Sequence, residues 1–116
     1  MQFDIQTRSF EMTEAIRSHS RRRLRFALSS YDDRIQRVVV RLSDINGPRG
    51  GADKRCHLQL VLPGLPDVVV EDIEADLYLA IDRAADRAGR TLRRRLARQR
   101  DRARASARPQ IASVAE

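Results

Sequence analysis

A chain of 116 residues that is 41% apolar is long enough to bury the core of one domain and too short for two. Its net charge of +7 suits an anionic partner, and because Lys54 is the only lysine among 23 basic residues, 22 are arginine, the side chain that grips phosphate through two parallel hydrogen bonds. The lone Cys56 excludes an internal disulfide and a cysteine-based zinc site and suits a reducing compartment, while the absence of an apolar run excludes a membrane span or signal peptide and leads us to expect a cytoplasmic protein.

Residues 2–7 alternate, with Phe3, Ile5 and Thr7 on one side and Gln2, Asp4 and Gln6 on the other, which predicts a half-buried strand. Thr13 is a good N-cap, Ile16, Leu24, Ala27, Leu28 and Tyr31 recur at helical spacing, and a helix is expected over about Glu14–Ser29. Alternation returns over 35–43, with Val38, Val40 and Leu42 facing inward. A glycine-rich loop at Asn46–Gly51 follows, and a third strand over 55–62 turns Cys56, Leu58, Leu60 and Leu62 inward. Pro63, Gly64 and Pro66 enforce a turn into a fourth strand over 67–73. A long helix is expected over Glu74–Arg104, with Glu74, Asp76 and Asp82 near its start and arginines toward its end, as the helix dipole favours.

The β-α-β-β-β-α order predicts an α+β fold with a four-stranded sheet. A right-handed crossover makes the first two strands parallel neighbours, and short connections make the other pairs antiparallel. Both helical stripes need burial, so both helices are expected on one face. The other face carries Arg37, Arg41, Arg55, His57 and Gln59. Residues 1–104 form the expected domain, and 105–116 a disordered tail.

The clearest functional constellation is on the second helix, where Arg83, Arg87, Arg90, Arg94 and Arg98 recur at three- and four-residue steps along one side. From Arg83 to Arg108 eleven arginines stand against two acids. An ordinary solvated helix face mixes signs, whereas one sign repeated along a rod is what a phosphate backbone requires. Arg17, Arg21, Arg22, Arg23 and Arg25 add a second patch, which flanks the same groove if both helices share a sheet face. Catalytic signals are thin. His19 and His57 are far apart in sequence, no HExxH or CxxC pattern marks a metal site, and no glycine loop leads into a helix to cradle phosphate. Cys56 alternates inward as core, and Asp32-Asp33 reads as a turn. No enzyme, cofactor, metal or small-molecule substrate is expected.

Three segments resemble the ribosome hibernation-promoting factors and the related ribosome-associated translation inhibitor. Glu11-Met12-Thr13-Glu14-Ala15-Ile16-Arg17 is similar to that family's opening of the first helix, and Glu74-Ala75-Asp76-Leu77-Tyr78-Leu79-Ala80-Ile81-Asp82 to the start of its long helix. Arg87, Arg90, Arg94 and Arg98 fall on its usual basic positions, and the likeness runs over about residues 1–100. The resemblance implies a double-stranded-RNA-binding-like fold that sits in the tRNA/mRNA channel of the small ribosomal subunit and blocks translation in stationary or stressed cells. It implies a short form, lacking the C-terminal domain by which long forms pair ribosomes. Promotion and prevention of ribosome dimers both stay open, as does the chain's own oligomeric state. The glycine-rich Asn46–Asp53 segment departs from the more direct strand connection of many members. The main alternative is a general structured-RNA binder. A partner-helix protein would need an exposed apolar seam, and the long helix's stripe of Leu77, Ala80, Ile81, Ala84, Ala88, Leu92 and Leu96 is barely wide enough for the sheet.

Overall fold

A computed structural model describes residues 1–45 and 53–107. The elements run β1 (Gln2–Arg8), α1 (Glu14–Leu28), a 3-10 turn (Ser29–Arg34), β2 (Arg37–Asp44), β3 (Lys54–Val61), β4 (Val68–Glu74) and α2 (Leu77–Ala107). The glycine-rich loop and the tail beyond residue 107 lie outside the described residues.

The four strands form one sheet in the order β1-β2-β3-β4. β1 and β2 are parallel, with Phe3 beside Val38 and Ile5 beside Val40, as a crossover through α1 requires. β2–β3 and β3–β4 are antiparallel and place Val40, Leu58 and Val70 in one row. Because side chains alternate, this register puts Val38, Val40, Leu42, Cys56, Leu58, Leu60, Val68 and Val70 on one face. They join Ile16, Leu24 and Leu28 of α1 and Ala80, Ile81, Ala84, Ala85, Ala88 and Leu92 of α2 in a single core. Both helices therefore cover the same face, as expected. The small alanines let the backbone of α2 lie close to the sheet.

Helix boundaries follow their caps. Thr13 Oγ1 accepts the Ile16 N–H at 3.1 Å and starts α1 where the sequence predicts. α1 gives way after Leu28 to the 3-10 turn, which holds Asp32-Asp33; there the Ile35 N–H donates to the Asp32 carbonyl at 3.4 Å. The start of α2 differs from expectation by one turn. Glu74 still pairs with Lys54 as the last residue of β4, and Asp76 Oδ1 caps the helix by accepting the Tyr78 N–H at 2.9 Å. No acid occupies the first turn of α2, and Asp82 serves a helix–helix contact instead. At the other end α2 continues three residues past Arg104, and its exposed last turns carry Arg98, Arg100, Arg102 and Arg104.

Candidate nucleic-acid interface

α1 and α2 lie side by side and run parallel, since their contacts advance together along both chains. His19 Nε2 donates to Asp82 Oδ1 at 2.7 Å, and Arg23 Nε donates to the same oxygen at 3.0 Å. Arg23 Nη2 reaches Asp86 Oδ1, also at 3.0 Å. With its proton on Nε2, His19 offers Nδ1 to Arg22 Nη2 at 3.5 Å, and its ring meets the Tyr78 ring edge-on with centroids 4.8 Å apart. One helical turn on, a Cβ on Gly89 would stand 3.1 Å from the Ala27 carbonyl oxygen, so the bare glycine sets the helix spacing. Beyond the core, Arg34 Nη2 donates to Gln99 Oε1 at 2.8 Å.

These contacts sort the candidate arginines into two groups. Arg23 is half-buried and clamped between two carboxylates. Arg83 lies 3.4 Å from Glu74, and Arg87 donates to the Glu71 carbonyl at 2.7 Å and lies 3.5 Å from Asp72. These three are partly neutralised from within the protein. Arg90, Arg94 and Arg98 are exposed and make no ion pair or hydrogen bond among the described residues. Arg21 and Arg25 are likewise exposed and Arg17 is half-buried; none of the three makes an ion pair or hydrogen bond among the described residues, although the Arg25 guanidinium lies 5.5 Å from the Phe3 ring centroid, on the β1 side of α1. The five arginines of α1 therefore do not all face one groove. Arg22 and Arg23 border the α1/α2 cleft, and Arg25 borders β1.

The open sheet face mixes charges of both signs with apolar side chains, Val39 buried on it and Val69 and Ile73 exposed. Adjacent rows set Gln6, Arg41, His57 and Glu71 beside Arg8, Ser43, Arg55 and Ile73. Arg55 Nη2 pairs with Glu71 at 2.7 Å. Partial burial, together with the positive charges of Arg55 and Arg41, lowers the pKa of His57 below the ordinary histidine value. On the opposite face Cys56 is fully buried, and desolvation, assisted by the Asp72 carboxylate, pushes its thiol up to about 12.

Sequence reasoning passed over several groups that this surface contains. Arg93 lines the interhelical groove with Arg90, and Arg95 is turned back onto the Pro66 and Asp67 carbonyls at 2.8 and 2.9 Å. Phe26, 76% exposed, stands over the cleft between the helices. Its only sequence signal is a large apolar residue inside a run of arginines, off the helix's buried stripe.

A family model decides the relationship. Its description is Sigma 54 modulation protein / S30EA ribosomal protein, and it matches residues 3–100. The chain belongs to this family. The resemblance read from the three sequence segments thus holds, and it spans nearly all of the described structure. Among solved structures, the N-terminal domain of Thermus thermophilus Protein Y is 34% identical, with a TM-score of 0.66; the match covers 81% of this chain and 98% of that one. A Coxiella burnetii protein described as a ribosomal subunit interface protein gives a TM-score of 0.72 at 18% identity, over 84% of this chain and 99% of that one. At that identity the second likeness speaks for the fold alone. A comparison with curated protein sequences gave no match. The α+β arrangement described above is accordingly shared with the Thermus thermophilus Protein Y N-terminal domain.

Proposed function

We propose that this chain is a ribosome hibernation factor. It docks on the small ribosomal subunit, in the channel used by tRNA and mRNA, through the basic surface of α1 and α2, and it holds translation off in stationary or stressed cells. Membership of a family whose description includes a ribosomal protein supports the reading. The observation that carries the RNA contact is the exposed ridge of Arg90, Arg94 and Arg98, cations without a protein partner among the described residues. Water-exposed guanidinium groups held on a rigid helix contact phosphates with little reorganisation. Arg17, Arg21, Arg22 and Arg25 add charge from α1, whereas Arg23, Arg83 and Arg87 chiefly fix the helices that present the others. Binding and obstruction require no catalytic group, cofactor or metal, and the protein acts in the cytoplasm, where ribosomes are.

Co-sedimentation with purified small subunits tests the reading. Wild-type protein should pellet with small subunits in preference to other structured RNAs. The Arg90→Glu/Arg94→Glu variant should keep its thermal stability and lose roughly 10- to 1,000-fold in affinity, since each reversal removes an attraction and adds a repulsion. Equal distribution over unrelated structured RNAs would favour a general RNA binder. Undiminished binding by the double variant would refute the role of the helix face.

A further inference from the structure

Phe26 is the most exposed of the large apolar side chains among the described residues. Single exposed apolar residues are common on protein surfaces and by themselves signify nothing. The surroundings of this one are unusual. Arg23 places its guanidinium 5.7 Å from the ring centroid. Arg22 precedes Phe26 by one helical turn on α1 and is exposed. Across the cleft Arg90 and Arg93 rise from α2, and they line a groove of about 230 Å³ together with Phe26, Ala27, Asp86 and Gly89. The floor is low because Gly89 has no side chain, and Asp86 is already engaged by Arg23. The other exposed large apolar residues, Ile45, Val69, Ile73, Tyr78 and Leu79, do not line this groove. An apolar docking patch for a protein helix would need apolar neighbours, and here the neighbours are cations.

We propose that Phe26 is a stacking platform for one unpaired nucleotide of RNA, whose base lies on the ring while its phosphate is held by Arg90 and Arg93. A planar apolar group joined to an anion is the ligand whose two halves match the two halves of this groove. Every nucleobase has a π-face, so the platform selects unpaired over paired RNA rather than one base over another. Duplex RNA buries its base faces in its own stack and offers only backbone to the groove. The proposal rests on the RNA-binding reading above and adds to it a contact that charge alone does not supply.

The test uses the full chain and purified small ribosomal subunits, with Phe26→Ala and Phe26→Trp. The chain has no tryptophan, so the second variant introduces a single fluorophore at the platform. Phe26→Ala should weaken subunit binding by roughly 5- to 100-fold, the range for loss of one aromatic–base stack. Its salt dependence should not change, because stacking releases no counterions. Phe26→Trp should retain affinity, and its emission should be quenched on binding. Unchanged affinity of Phe26→Ala, at an unchanged melting temperature, would overturn the platform while leaving the phosphate ridge intact. Tryptophan emission that shifts to the blue without quenching would overturn it in favour of a protein pocket. If the wild-type chain fails to bind small subunits at all, the RNA reading falls and the platform with it.

Discussion

Cys56 stands in the middle of the sheet, paired with Leu42 on one side and Asp72 on the other, and no solvent reaches it. With the thiol pushed up to about 12, the thiolate fraction at pH 8 is on the order of one in ten thousand. Iodoacetamide should leave the native protein unmodified under conditions that alkylate it fully in urea; rapid native alkylation would contradict the burial. Cys56→Ala should cost roughly 1–2 kcal/mol of stability, the small end of large-to-small core replacements, and leave subunit binding unchanged. His57 makes the opposite kind of prediction. Burial first, and then Arg55 and Arg41, lower its folded-state pKa below the ordinary 6.5. The folded protein therefore binds the proton less readily than the unfolded chain. The contribution of His57 is present above about pH 6.5 and is lost as pH falls through the lower folded value. His57→Gln should flatten the fall in melting temperature between about pH 7 and pH 5. An identical pH profile for variant and wild type would show that the histidine gains its proton at no cost to the fold.

At the scale of elements, the strands were legible because a sheet covered on one face imposes a period of two; Cys56-Leu58-Leu60 in β3 follow it, and so do Val38-Val40-Leu42 in β2, although β2 also buries Val39 on the open face. The start of α1 was legible because Thr13 is an N-cap by chemistry. The start of α2 misled because Glu74 and Asp76 resemble a helix's first turn, yet the ladder to Lys54 keeps Glu74 in strand. Nothing local encodes the pairing of α1 with α2. His19 and Asp82 are 63 residues apart, and Arg23 and Asp82 are 59 apart. The arginine ridge was visible from spacing alone, but which of its members are neutralised depends on Glu74 and Asp72 of β4, which the fold sets beside Arg83 and Arg87. Gly89 gives the cleanest test of the helix pair. An added Cβ gains about 1 kcal/mol of helix propensity but meets the Ala27 carbonyl, which a packed helix cannot easily move. Gly89→Ala should therefore stay within about 1 kcal/mol of wild type, whereas Gly89→Leu should lose roughly 2 kcal/mol or more. Equal stability of all three proteins in urea titrations would mean that the helices are not held this close.

For the whole molecule, net charge and useful charge differ. The sequence carries +7, but Arg23, Arg83 and Arg87 already face Asp82, Asp86, Glu74 and Asp72. An arginine beside a carboxylate attracts RNA weakly, and little counterion release accompanies its binding. The exposed, partnerless arginines of both helices should dominate the salt dependence. If roughly five to eight of them reach phosphate, the slope of log affinity against log salt should be on the order of −4 to −7. Two single substitutions separate the groups. Arg90→Ala should reduce the steepness of that slope by about 0.7–0.9 and leave the melting temperature unchanged, since it removes one phosphate contact and no internal one. Arg23→Ala should do the reverse. It leaves Asp86 without its cation and Asp82 with His19 alone, so it should lower stability by roughly 1–2 kcal/mol and barely alter the slope. Melting curves and subunit-binding titrations at several salt concentrations measure both quantities on the same two proteins. If Arg23→Ala changed the slope as much as Arg90→Ala does, Arg23 would have to release its carboxylates on binding, and the internal clamp would be part of the RNA contact.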